Sequence, residues 1–146
     1  MTTNPYLQRN SDVDTVTVPE KLGADECWRL LEAATVGRLA VTDDLGPDIF
    51  PVNYLVQSRA LFFRSAPGKK IVSLTRRPEV AVEIDGTDAG KRFSVVLRGT
   101  VRRLDDEARM RESGVLDLPT MTAPTKWNYF EVTPRTVQGR RFRTSY

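Results

Sequence analysis

A mainly-β (α+β) fold, an antiparallel barrel with short peripheral helices, is what this sequence predicts, and three observations carry the prediction. Short runs rich in β-branched and aromatic residues recur along the chain: GRLAVTD, DIFPVNYLV, ALFFRSA, VAVEID and FSVVLRGTVRRL. Turn residues, rather than long helical crossovers, separate most of them. The resulting order β-β-β-α-β-β-α-β suits hairpins closing into a barrel and does not suit a regular βαβ alternation.

Taken in order, MTTNPYLQRNSDVDTV is polar and has no apolar core. Residues 1–19 are therefore expected to form a flexible arm rather than a signal peptide, and residues 20–146 a single domain. A helix is predicted over 24–35, after Gly23, with Glu26 placed to reach back to the helix start as in a capping box. Cys27, Leu30, Leu31 and Ala34 form its apolar stripe. GRLAVTD is a strand that breaks at Asp43-Asp44-Leu45-Gly46-Pro47, and DIFPVNYLV is the next, with Pro51 pointing to an edge or a bulge. Ser58-Arg59 turn the chain into ALFFRSA.

PGKKIVSLTRRPEV follows as a short helix ending before Pro78, and VAVEID is the fourth strand, with GTDAGK as a polar connection. In FSVVLRGTVRRL, Ser94, Val96 and Arg98 share one face and Val95, Leu97 and Gly99 the other. Gly99 in mid-strand predicts a bulge or bend. DDEARMRESGV is a short helix, LPTMTAPTK a loop, and WNYFEVTP with RTVQGRRFR a closing strand or pair of strands.

Composition narrows the function. The 146 residues are 40% hydrophobic and 28% charged, as in a globular domain, and no apolar run is long enough to span a bilayer. The single cysteine excludes an internal disulfide and fits a reducing cytoplasm. A net charge of +3 is too small to imply nucleic acid by itself. There is no histidine, which removes histidine-dependent triads, the usual zinc sites and histidine-ligated haem. Cys27 reads as a packing residue. No catalytic side chain is identifiable, so an enzyme built on this chain borrows its reactive group.

Four stretches carry candidate chemistry. In FFRSAPGKK, a helix opening near Gly68 would present unpaired backbone N–H groups, with Lys69, Lys70, Arg64 and Ser65 adding charge and hydroxyl toward an anion. The plain alternative is a Pro-Gly turn with two solvated lysines. In FPVNY, Asn53 offers a donor and an acceptor to a heterocycle edge, or is a tolerated surface residue. Arg98 in SVVLRG either faces inward and holds an anion or faces out for solubility. In the tail, Trp127 and Tyr129 could stack on a planar ring, and Arg135, Arg140, Arg141 and Arg143 with Phe142 and Tyr146 could form a nucleic-acid patch or a solvated strand end.

The order GRLAV, FPVNY, FRSAPGKK, VLRG resembles the pyridoxamine 5′-phosphate oxidase-like flavin-binding split barrels, in particular the small actinobacterial type related to nitroimidazole-resistance proteins. The likeness covers about residues 20–104 and resumes in FEVTPRTVQGRRF. It implies a split β-barrel homodimer with FMN, or a deazaflavin in its place, at the dimer interface. It implies that Arg64, Ser65, Lys69 and Lys70 hold the cofactor phosphate and ribityl chain, and that Pro51, Val52 and Asn53 run beside the ring. Arg98 and Trp127 are implied to contribute from the partner subunit. Phe93 stands where many relatives have Trp, and the histidine found near the flavin of nitroimidazole-resistance proteins is absent.

The resemblance thus implies an oxidoreductase passing hydride through the flavin to or from a small molecule, with a nicotinamide or deazaflavin electron donor, in the cytoplasm and without membrane. A non-catalytic flavin or deazaflavin storage protein and a deazaflavin-dependent reductase are the alternatives, and a nucleic-acid-binding barrel is the weaker one.

Overall fold

The computed structural model describes residues 18–66, 74–118 and 128–143. Seven strands and two helices appear there: β1 (Glu20–Leu22), α1 (Ala24–Ala33), β2 (Val36–Asp43), β3 (Gly46–Gln57), β4 (Ala60–Ser65), β5 (Glu79–Asp88), β6 (Lys91–Arg103), α2 (Glu107–Ser113) and β7 (Asn128–Arg143). A 3₁₀ turn, Val115–Asp117, follows α2, and residues 74–76 are helical. Among the described residues no helix is long and apolar enough to cross a membrane.

All pairings are antiparallel. The sheet order β1-β7-β4-β3-β2-β5-β6 closes on itself because β6 also pairs with β7, giving a six-stranded ring with β1 attached. This is a split barrel. Side chains alternate as a pleated strand requires. In β6, Val95 and Leu97 are fully buried while Arg98 is exposed, which matches the two faces predicted for this strand.

The interior is filled by Leu39, Val82, Val95, Leu97 and Leu61, and by Phe63 stacked on Phe130 with ring centroids 5.1 Å apart. Helix α1 buries Cys27, Trp28, Leu30 and Leu31 against this core. Cys27 is a packing residue: its Sγ fills space where a Cβ on Gly139 would come within 2.7 Å, and burial raises its thiol pKa. A smaller apolar cluster lies outside the ring, where Phe62, Ala60 and Leu104 are covered by Val115 and Leu118.

Several predicted details change. Glu26 does not cap α1; the N-cap Gly23 has no side-chain cap, and Glu26 instead binds Arg29 and Arg141 at 2.6 Å each. Two guanidinium partners hold the carboxylate more strongly than one backbone N–H would. Residues Thr87 and Asp88 of GTDAGK extend β5, so the connection shrinks to the turn at Ala89-Gly90, both with positive φ. The tail is one 16-residue strand, β7, because a bulge lets it bend past Pro134 without breaking. That bulge sits at Arg98/Gly99, as the mid-strand glycine predicted. Of the helix predicted over PGKKIVSLTRR, residues 67–73 lie outside the described residues, as do all but Leu118 of the loop predicted over LPTMTAPTK and the first 17 residues of the predicted arm.

Candidate functional site

Strands β3 and β4 are paired only over Tyr54–Gln57 and Ala60–Ser65's first four residues, ending at the register pair Tyr54–Phe63. Beyond that point β3 continues with β2 alone among the described residues, while β4 continues with β7 through Arg64–Tyr129 and Ser65–Asn128. The wall of the barrel parts here, and the sequence motifs FPVNY and FRS lie on its two lips.

The backbone geometry of the β3 lip follows from one hydrogen bond. Tyr54 N–H donates to Thr35 O at 3.1 Å, so the backbone groups of Tyr54 and Val52 point toward β2. Strand alternation then turns the backbone groups of Pro51 and Asn53 toward the gap. Proline's missing donor falls on the side where no neighbouring strand needs it, which explains how Pro51 is tolerated in a strand. The side chains divide in the same way. Val52 and Tyr54 are buried in the core, Pro51 is exposed and Asn53 half-buried.

Beneath the lip, the Tyr54 hydroxyl donates to Leu31 O at 2.7 Å, tying β3 to the end of α1. Burial raises the pKa of this hydroxyl well above the ordinary phenol range. It is a structural strut, not a proton donor in reach of a ligand.

On the β4 lip, Arg64 is half-buried and donates to Leu116 O at 3.4 Å, so the 3₁₀ turn after α2 positions its guanidinium. No sequence signal announced Leu116, since the contact spans 52 residues. Ser65 is half-buried at the end of β4, and its Oγ donates to Ala66 O at 3.3 Å. Lys69 and Lys70 lie outside the described residues; on either side of the stretch, Ser65 pairs with Asn128 and Leu74 is buried in the core. Trp127 also lies outside the described residues, next to Asn128 at the start of β7.

Arg98 is elsewhere. It is exposed on β6, in register with Ala81 of β5, and within one chain the fold does not bring it to the split. The structure thus assembles Pro51, Asn53, Arg64 and Ser65 around one opening, sends Val52 into the core and leaves Arg98 apart.

The outer face of β4 and β7 next to this opening is held by a buried carboxylate. Glu131 receives Arg102 Nε at 2.8 Å and Arg109 Nε at 3.2 Å, and Arg109 lies 5.2 Å over the Phe62 ring. Burial alone would raise the Glu131 pKa, but the two guanidinium groups outweigh it and hold the carboxyl below its usual range. This clamp fixes α2, and hence the turn that positions Arg64.

The family model for pyridoxamine 5′-phosphate oxidase matches residues 23–141. A candidate pyridoxamine 5′-phosphate oxidase from Corynebacterium glutamicum superposes with a TM-score of 0.78 at 30% identity, covering 87% of this chain and all of that one. An FAD-binding protein from Mycobacterium smegmatis gives 0.72 at 37% identity, covering 86% of this chain and 100% of that one. An FAD-binding protein from Mesorhizobium loti gives 0.72 at 29% identity, covering 85% and 98%. With the family model matching residues 23–141, nearly the whole barrel, the chain belongs to the pyridoxamine 5′-phosphate oxidase family.

Proposed function

We propose that the chain is a flavin-dependent oxidoreductase of small molecules, with FMN bound where β3 and β4 part. The observation that carries this reading is the parting itself, which turns the Pro51 and Asn53 backbone groups toward the same gap that Arg64 flanks. The FAD-binding relatives at 37% and 29% identity support a flavin as the ligand class. FMN is our assignment within that class.

The residues present fit such a group. An isoalloxazine needs an apolar surface and a mixed donor–acceptor edge, and its phosphate needs cations. Pro51 gives a flat apolar surface, Asn53 supplies donor and acceptor, and Arg64 with Ser65 and the following Lys69 and Lys70 supplies charge-assisted hydrogen bonds. Bound there, a flavin supplies the hydride chemistry that a chain without histidine lacks. The chain's own groups bind and orient the ring, and Val52 and Tyr54 hold the lip rigid from the core side.

Two exposed apolar side chains sit beside this lip. Val36 is in register with Asn53, and Ile49 precedes Pro51 by two residues on the same face; they are 43% and 59% exposed. We assign this face to a second copy of the chain, so that the homodimer closes the site and excludes water from it.

The test is uptake followed by turnover. Protein stripped of small molecules is titrated with FMN, FAD and a deazaflavin, and then mixed with NADH, NADPH or reduced deazaflavin and an electron acceptor. Saturable FMN binding with steady-state reduction supports the reading. Binding without turnover would instead make the chain a flavin carrier, and preferential deazaflavin uptake would reassign the cofactor.

A further inference from the structure

We infer that the open edge of β3 is barred to other β-strands, so that a second copy of the chain meets this molecule across side chains and not by extending its sheet. From Gly46 to Asn53, β3 pairs with β2 on one side, and among the described residues no strand pairs with it on the other. That stretch is longer than a typical strand, and Ile49, Phe50 and Val52 are strong β-formers. An edge of this length and composition is a ready template for another strand.

The β2 ladder fixes the backbone directions. Tyr54 N–H donates to Thr35 O, so every second residue before it, namely Val52, Phe50 and Asp48, turns its backbone groups to β2. Pro47, Ile49, Pro51 and Asn53 therefore face the open side. Pro47 and Pro51 have no N–H to offer. Ile49 has one, but it donates to the Asp48 carboxylate, Oδ1, at 2.8 Å. Three successive docking positions, 47, 49 and 51, thus present carbonyls without an available donor. An incoming strand could form at most half of its ladder there, and its own carbonyls would be left unpaired.

Ile49 carries the division most plainly. Its side chain lies on the face assigned to the second copy, whereas its N–H is closed off at the edge. A different device protects β1, another edge strand, which is only three residues long with Lys21 at its centre. The inference does not depend on a flavin.

The experiment compares four forms of the full chain by sedimentation velocity over a concentration series, with circular dichroism and thermal melting as fold checks. Asp48→Ala releases the Ile49 N–H, and Pro47→Ala combined with Asp48→Ala opens two successive docking positions. Asp48→Asn is the control, because its amide oxygen still accepts from Ile49 N–H while the charge is gone. Wild type and Asp48→Asn should have the same mass at every concentration. Asp48→Ala should gain mass as concentration rises, and the double variant about twofold or more, with exchange of the Ile49 amide slowing as it does so. Unchanged mass in both alanine variants, or growth without slowed Ile49 exchange, would overturn the inference. Equal growth in Asp48→Asn would also overturn it, since charge and not the edge donor would then be the guard. Should the double variant fail to fold, Asp48→Ala alone decides. The wild-type mass scores the homodimer reading separately, so failure there is distinguishable from failure here.

Discussion

Tyr54 and Phe63 are the last register partners of β3 and β4, and the barrel opens immediately beyond them. Both rings are buried, and Tyr54 is further pinned by its 2.7 Å hydrogen bond to Leu31 O. The opening is therefore braced from within by the core and by α1. A ligand seated there meets a preformed edge rather than a fraying one.

Removing the brace has a defined cost. Tyr54→Phe keeps the ring but leaves the Leu31 carbonyl without its donor, and should destabilise the fold by about 1–2 kcal/mol in urea unfolding. The pH dependence provides a second readout. Because the folded-state pKa is raised, the Tyr54 contribution is full below its ordinary 10.0 and declines as pH rises past it. The alkaline decline should shrink in the variant.

Gly99→Ala tests the bulge. The added methyl would collide with backbone atoms of Thr133, which cannot rotate away as a side chain could. A loss of about 3 kcal/mol in equilibrium unfolding is expected. A near-neutral effect would mean that β6 and β7 can separate at this point without penalty.

Acid should loosen the molecule through two carboxylates. Glu26, bound first by Arg29 and then by Arg141, is lowered from 4.5 to about 2, and Glu131 is also lowered from 4.5. A depressed folded-state pKa contributes stability that is full above 4.5 and is lost as pH falls through the folded value. Glu131→Gln should cost about 2 kcal/mol at neutral pH and flatten the acid limb of the stability profile below 4.5. The Glu26 cluster is partly exposed, so its share should shrink in high salt.

The paired lysines are tested together. Lys69→Ala with Lys70→Ala should reduce flavin affinity by about 1–3 kcal/mol, the loss expected for charge-assisted contacts to a phosphate. Arg64→Ala should act in the same direction. Unchanged affinity in the double variant would move the phosphate away from FRSAPGKK.

Local chemistry made much of this legible from sequence. The turns at Ser58-Arg59 and Asp43–Pro47, the alternation in SVVLRG and the mid-strand Gly99 are each set by neighbours close in the chain, and each appears where expected. Pro51 was readable as an edge position because proline's missing donor is tolerated only where no partner strand needs it. Long-range partners were not legible. Glu26 fits a capping box by spacing, yet Arg141, 115 residues away, takes its carboxylate. The support of Arg64 by the Leu116 carbonyl likewise depends on a pairing that leaves no local trace. The resemblance carried by FPVNY and FRSAPGKK marked the lips of the split; only the strand register showed that Val52 turns inward and that Arg98 lies on β6, away from the split within one chain.

The central claim is that this chain holds a flavin in the β3–β4 split. Its most direct test is the absorption spectrum of the purified protein before and after reconstitution, with mass identification of whatever heat or acid releases. The account predicts a visible flavin band at one cofactor per chain, identified as FMN, and weakened retention in Arg64→Ala. A colourless protein that takes up neither FMN, FAD nor a deazaflavin would contradict it.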